Sequence, residues 1–109
     1  MSQVMDHLTD VGPGWHRILL ALHYDLLAVD PNYEVDQLKE KFGGLRVYLR
    51  YHHLACEKLI MEATRLSHET CEECGEPGET AGPGWIKTLC ELHRIQRNAD
   101  PTKRWENNG

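Results

Sequence analysis

The chain has 109 residues, of which 40% are hydrophobic and 27% charged, and its formal net charge is −5 at pH 7. This length predicts a single domain, and the ordinary globular composition argues against wholesale disorder. The net acidity disfavours general nucleic-acid binding unless a local basic surface overrides it, and no apolar run reaches the length of a transmembrane helix.

The first predicted helix begins at Trp15, directly after Gly12-Pro13-Gly14, and ends at Asp30. Residues 1–11 predict a short arm or a first helical turn. Proline at position 31 ends the helix because it disfavours helical geometry at the residue before it. The predicted apolar stripe repeats at helical spacing and consists of Trp15, Ile18, Leu19, Leu22 and Leu26.

Residues 33–51 fit two structures up to the Gly43-Gly44 pair. Val35, Leu38 and Phe42 suit a short helix that the glycines stop, and the same segment suits the first strand of a β-hairpin that turns at Lys41–Gly44. After the glycines, apolar and polar residues alternate through residue 51, which predicts a strand with one apolar face.

Two further helices are predicted, at residues 53–67 and 90–98. The stripe of the first of them consists of Cys56, Leu59, Ile60, Ala63 and Leu66. Because Cys56 lies on this stripe, we predict that it is a buried core residue and neither a ligand nor a nucleophile. Residues 99–109 predict a polar tail outside a domain of residues 1–98.

Four residues have the spacing of a zinc site, C-x2-C-x15-C-x2-H, and they are Cys71, Cys74, Cys90 and His93. Three thiolates and one imidazole form a complete tetrahedral set for Zn²⁺. No secretory signal or lipidation motif is present, so we expect a reducing cytoplasm, where disulfides are disfavoured, and no membrane partner. Four protein ligands leave no position for water, so the predicted zinc is structural.

The order of elements around these residues predicts a treble-clef zinc finger. A Cys-x2-Cys knuckle comes first, a Gly- and Pro-rich segment at residues 76–84 follows, and the last ligand pair lies in the first turn of a helix. The predicted fold is therefore a small α+β domain with about three helices, a short β-hairpin or sheet and a Cys3His site.

A short sequence repeat surrounds the two G-P-G-W segments. Residues 12–23 and 82–93 both fit G-P-G-W-x3-L-x2-L-H, but their flanks do not match. We therefore predict two similar turns and no duplicated domain. The repeat also leaves open a helix at residues 85–89.

Two separated motifs resemble a group of small phage and prophage zinc-binding proteins of unassigned function. The first is K-E-K-F-G-G-L-R-x-Y at residues 39–48, and the second is C-x-x-C-G at residues 71–75 followed by T-L-C at residues 88–90. The resemblance implies a phage-type accessory protein in the cytoplasm of a host cell, and it transfers no catalytic residue.

A cluster of acidic residues beside the knuckle predicts a protein-binding surface. This acidic rim consists of Glu69, Glu72, Glu73, Glu76 and Glu79. Glutamates on a rigid loop can bind a basic protein surface. Together with the phage resemblance, the rim suggests a host protein complex as the partner and its inhibition as the function, for example as an anti-CRISPR-like anti-defence protein.

Nucleic-acid binding is the alternative, through a basic and aromatic surface on the predicted strand region. Its residues are Lys39, Lys41, Arg46, Tyr48 and Arg50. A His-metal nuclease is a minor alternative, because the segment between the ligand pairs, residues 75–89, contains no histidine to act as a general base. We expect neither an enzyme nor a small-molecule substrate.

Overall fold

The computed structural model describes residues 2–99, which form short helices and antiparallel β-hairpins in an α+β arrangement, as predicted. The predicted tail lies, from residue 100 onwards, outside the described residues. None of the helices within residues 2–99 combines the length and the apolar character needed to cross a membrane. The elements in chain order are two 3₁₀ helices at Val4–Asp10 and Pro13–Trp15, then α1 (His16–Val29), β1 (Val35–Lys41), β2 (Gly44–Leu49), α2 (Leu54–Ser67), β3 (Glu79–Ala81), β4 (Lys87–Leu89) and α3 (Glu91–Ala99).

The segment with two possible structures is a β-hairpin, so the helical alternative for residues 33–42 is wrong. Strands β1 and β2 pair antiparallel, with Lys41 opposite Gly44. The two turn residues, Phe42 and Gly43, have φ of 54° and 80°, as a tight hairpin turn requires. The Glu40 carboxylate accepts a hydrogen bond of 2.8 Å from the Gly43 N–H, which stabilises this turn.

Helices α1 and α2 pack with this hairpin around one apolar core. The α1 stripe is buried at Leu19, Leu22 and Leu26, as predicted. On α2 the stripe ends differently, because Leu66 is 37% exposed and Ser67 is fully buried. The Ser67 hydroxyl accepts a hydrogen bond from the Leu45 N–H at 2.9 Å, and this polar contact decides which residue of the last turn faces the core.

The two G-P-G-W segments have different structures. Trp15 is fully buried just before α1, and its indole N–H donates to the Thr70 carbonyl oxygen at 2.9 Å. Trp85 is half-buried and precedes strand β4, so the helical alternative for residues 85–89 is wrong. The sequence repeat is therefore not a structural repeat.

The first hairpin contacts the second at its turn, and this contact joins the two resemblance motifs. The Thr88 hydroxyl donates to the Gly43 carbonyl oxygen at 2.6 Å, and Lys87 Nζ lies 2.6 Å from Glu40 Oε1. A Cβ atom on Gly44 would lie 2.3 Å from the His68 ring, so any larger residue at that position would have to displace the His68 side chain. The contact fixes the apolar core against the Cys- and His-bearing part of the chain.

Candidate metal centre

The first ligand pair lies on a tight knuckle at residues 71–75. The Gly75 N–H donates to the Cys71 carbonyl oxygen at 3.0 Å, and the Cys71 N–H donates to the Glu76 carbonyl oxygen at 2.8 Å. Gly75 has a φ of 84°, a left-handed conformation that favours glycine. These bonds turn the chain so that both cysteine side chains point to the same side.

The second ligand pair is placed by the start of α3. This helix begins at Glu91, so Cys90 is the residue immediately before it and His93 lies in its first turn. The Arg94 N–H donates to the Cys90 carbonyl oxygen at 2.9 Å, and the His93 N–H lies 3.4 Å from Cys90 Sγ. The Cys90 Sγ and His93 Nδ1 atoms are consequently only 3.1 Å apart.

The four predicted ligands come together, with their donor atoms all within 4.8 Å of one another. Cys74 Sγ lies 3.8 Å from Cys90 Sγ, and Cys71 Sγ lies 3.6 Å from His93 Nδ1. Metal–sulfur bonds of about 2.3 Å and metal–nitrogen bonds of about 2.0–2.1 Å in a tetrahedron give similar separations. The Cys3His group could therefore hold a metal ion, in the knuckle, hairpin and helix arrangement of a treble clef.

The close packing of the three thiols in this group favours the binding of a cation. Burial raises the pKa of Cys71, but backbone N–H groups of Cys90, Cys74 and Glu73 outweigh burial and lower that pKa to about 7. The Glu76 N–H lowers the pKa of Cys74, yet desolvation and the neighbouring thiols prevail and raise it to about 11. All the cysteines are free thiols, and three of them this close can ionise together only beside a cation.

Glu72 does not belong to an exposed acidic rim, which corrects the prediction for that residue. It is 5% exposed, its Oε2 accepts a 2.8 Å hydrogen bond from the Thr88 N–H, and its Oε1 lies 3.5 Å from Lys87 Nζ. Burial raises the pKa of its carboxyl group. Glu72 therefore stabilises the contact between the knuckle and β4, together with Lys87 and Glu40, a role that no spacing in the sequence indicates.

The other glutamates of the predicted rim are exposed. Glu73, Glu76 and Glu79 lie on or near the knuckle with their side chains in solvent. Glu69 is exposed too, but its carboxylate lies 3.2 Å from an Arg65 guanidinium nitrogen. We keep the name acidic rim for the exposed residues Glu69, Glu73, Glu76 and Glu79.

The residues of the predicted basic surface lie on the first hairpin, most of them on its outer face. Lys39 pairs with Arg46 across the strands, and Lys39 Nζ lies 6.0 Å from the centre of the Tyr48 ring. Lys41 is exposed near the turn. Arg50 follows the end of β2 and lies 3.8 Å from the Glu34 carboxylate. We call Lys39, Lys41, Arg46 and Tyr48 the basic face.

Cys56 is a core residue, as predicted from its stripe, with 1% of its surface exposed. Burial raises the pKa of its thiol, and the charge of Asp30 adds to that effect. We expect thiol reagents to label Cys56 slowly in the native metal-bound protein and rapidly after denaturation. Peptide mapping of the labelled protein measures this, and labelling of native Cys56 as fast as that of the denatured chain would contradict the assignment.

Comparison of the chain with protein-family models, with curated proteins and with solved structures finds no match. A functional proposal for this chain therefore rests on the chemistry of its own residues and not on analogy with a related fold.

Proposed function

We propose that the metal ion is Zn²⁺ and that it is structural. Three thiolates and one imidazole at these separations suit the tetrahedral coordination of zinc. With four protein ligands no coordination position is open to water, so the ion would hold the knuckle to α3 without taking part in a reaction. The proposal includes no catalytic activity.

We propose further that the chain is a phage-type accessory protein that binds a host protein complex and inhibits it, as an anti-CRISPR-like protein would, in the host cytoplasm. The observation that carries this proposal is the acidic rim, whose glutamates are exposed beside a hydrogen-bonded knuckle that the proposed zinc ion would hold rigid. A rigid charged loop loses little conformational entropy when it binds, which favours association with a basic protein surface.

Affinity capture from host lysate, with and without nuclease treatment, tests the class of partner. We expect a protein complex that remains bound after nuclease treatment. Capture that disappears after nuclease treatment would mean that nucleic acid bridges the interaction, and it would contradict direct protein binding.

Charge reversal tests which surface binds. Exposed charge pairs contribute only about 0.2–1 kcal/mol each, so we reverse Glu73, Glu76 and Glu79 together to lysine. This variant is expected to associate with the captured complex more slowly and with a weaker salt dependence, because electrostatic steering is lost. Surface plasmon resonance at several salt concentrations measures both quantities.

The matched control reverses charge on the first hairpin, with Arg46→Glu and Arg50→Glu in one protein. We expect this control to keep binding to the complex, since it leaves the acidic rim unchanged. A silent glutamate triple together with an inactive arginine pair, both folded and metal-loaded, would place the binding site on the hairpin instead.

Nucleic-acid binding remains the second candidate, because the side chains of the basic face lie together on one surface and include an exposed tyrosine. Bases can stack on such an aromatic ring while lysines and arginines contact the phosphates. If this candidate is correct, single-stranded DNA or RNA binds at physiological salt with an affinity that falls steeply as salt rises. Tyr48→Ala would then weaken binding to every sequence.

A further inference from the structure

The edge of β2 that faces away from β1 is only partly covered. Successive residues of a strand point their backbone N–H and C=O groups to alternate sides. The Arg50 N–H bonds to Glu34 on the β1 side, whereas Leu45 bonds on the other side to the hydroxyl groups of Ser67 and Thr64, each at 2.9 Å. By this alternation, the backbone groups of Val47 and Leu49 also point away from β1, toward α2.

No group within residues 2–99 hydrogen-bonds these backbone groups of Val47 and Leu49 on the α2 side. Alongside them runs a groove with a volume of about 360 Å³, which lies between β2 and the first half of α2. Its α2 wall includes Ile60 and Met61, and Met61 is 70% exposed. We call this feature the edge groove.

We propose that the edge groove binds an extended segment of a partner protein, which adds to β2 as a third strand. An open strand edge supplies backbone hydrogen bonds to such a segment, as in PDZ and PTB domains, and the adjoining groove selects alternate side chains. Covering the edge also satisfies backbone groups that are otherwise free to pair with other chains.

The two faces of the sheet specify the chemistry of the segment. Side chains on the face of Val47 and Leu49 would contact Ile60 and Met61, so they should be apolar. The intervening side chains would lie on the other face beside Arg46 and near Arg50. Because Arg50 already lies 3.8 Å from the Glu34 carboxylate, an acidic side chain is favoured chiefly beside Arg46. Arg46 forms no ion pair within residues 2–99, and its Nε is a buried nitrogen without a hydrogen-bond partner there. The expected segment therefore alternates apolar and acidic residues.

A second copy of the chain is a poorer occupant of this edge. Antiparallel pairing of two β2 strands centred on Tyr48 would place Arg46 of one copy opposite Arg50 of the other. Like charges that face each other across strands are destabilising. Charge complementarity thus favours an acidic segment of a different protein. This inference goes beyond the proposed function, because it uses none of the residues of the acidic rim.

The experiment titrates the metal-loaded 109-residue protein into a fluorescently labelled synthetic peptide of about eight residues that alternates valine and glutamate. We expect saturable binding by fluorescence anisotropy. We also expect slower hydrogen exchange at the Val47 and Leu49 amides when unlabelled peptide is added, because these amides become donors to the new strand. NMR measures this protection residue by residue.

Matched peptides distinguish strand addition from electrostatic attraction without backbone hydrogen bonds. Replacing each glutamate by lysine should weaken binding at least about tenfold, because the partner side chains then face arginines. Methylating alternate backbone nitrogens keeps every side chain and the net charge but removes hydrogen-bond donors on one edge of the peptide. The isomer methylated on the edge that meets β2 should bind at least about tenfold more weakly than the isomer methylated on the other edge.

Matched protein variants locate the site. Met61→Glu puts a charge on the groove wall and should weaken binding of the valine–glutamate peptide at least about tenfold. Leu20→Glu makes the same kind of change at an exposed position of α1 and should have no effect. Both residues are substantially exposed, so both variants are expected to fold and to keep their metal.

Three results would each overturn the proposal. The first is no binding of the peptide at about 1 mM. The second is binding that leaves the exchange of the Val47 and Leu49 amides unchanged. The third is protection of these amides in peptide-free protein that sediments as a dimer, which would make a second copy the occupant.

Discussion

Replacing Cys74 with serine is expected to abolish stoichiometric metal binding and to lower the free energy of unfolding by about 3 kcal/mol or more. Structural zinc sites contribute about 10–16 kcal/mol of apparent binding free energy, shared among four ligands. The Cys74 side chain is exposed, so the loss cannot come from a cavity in the core and must come from the missing metal bond. Urea unfolding combined with elemental analysis of the same sample measures both effects.

Cys56→Ser is the matched control, because it makes the same substitution at the cysteine that lies outside the Cys3His group. Cys56 is buried among apolar side chains and lies outside the Cys3His group. This variant is expected to keep its full metal content and to lose about 1–2 kcal/mol, an ordinary cost for a polar substitution in a core. If Cys74→Ser keeps its metal and is no less stable than Cys56→Ser, Cys74 is not a ligand.

Replacing Gly14 with alanine is expected to destabilise the protein by about 3 kcal/mol and to weaken metal binding, although Gly14 is not a ligand. A Cβ atom at this position would lie 1.9 Å from the Cys71 carbonyl oxygen and 2.6 Å from the Gly75 nitrogen. Both are backbone atoms of the knuckle, so the clash can be relieved only if the knuckle and the Gly14 segment move apart. The Gly14 N–H also donates to the Glu72 carbonyl oxygen at 2.7 Å, and separation would break this bond.

Gly84→Ala is the control for this prediction, since Gly84 holds the same place in the second G-P-G-W segment. A Cβ atom there would meet nothing within 4 Å, and only the φ of 102° opposes the substitution. We expect a cost of about 1–2 kcal/mol and no change in metal affinity. Chelator competition measures the metal affinity of the two variants, and urea unfolding measures their stability. Equal losses of affinity and stability in both variants would show that the contact between Gly14 and the knuckle does not support the metal site.

The same pair of glycines shows how far local sequence predicts structure in this chain. The two twelve-residue segments fit one pattern, yet Trp15 is buried before a helix and Trp85 is half-buried before a strand. The difference arises from tertiary contacts of the first segment. The knuckle contacts Gly14, and the carbonyl oxygen of Thr70, just before the knuckle, accepts the indole hydrogen bond. Such contacts join residues far apart in the chain, and no local pattern encodes them.

The close approach of Cys71, Cys74, Cys90 and His93 and the three α-helices were predictable because their signals are local. Ligand spacing and helical periodicity need only a short window of sequence. The first hairpin was ambiguous because Val35, Leu38 and Phe42 follow helical spacing, whereas Gly43-Gly44 also suits a hairpin turn. A local bond between Glu40 and Gly43 and a tertiary bond between Thr88 and Gly43 help to fix the turn.

Glu72 shows the corresponding error for the candidate site. A run of glutamates in a Gly- and Pro-rich region predicts solvent exposure, and for Glu73 and Glu76 this holds. Glu72 is buried because the β4 backbone and Lys87, both distant in sequence, surround its carboxylate. Burial of a single acid within an acidic cluster follows from tertiary contacts alone.

Zinc K-edge X-ray absorption on protein purified without added metal tests the central claim most directly. A closed structural site predicts one zinc per chain, surrounded by three sulfur atoms at about 2.3 Å and one nitrogen at about 2.0–2.1 Å, with no bound water. Folded protein that contains no metal, or a zinc ion with an oxygen ligand in place of one of these four, would contradict it.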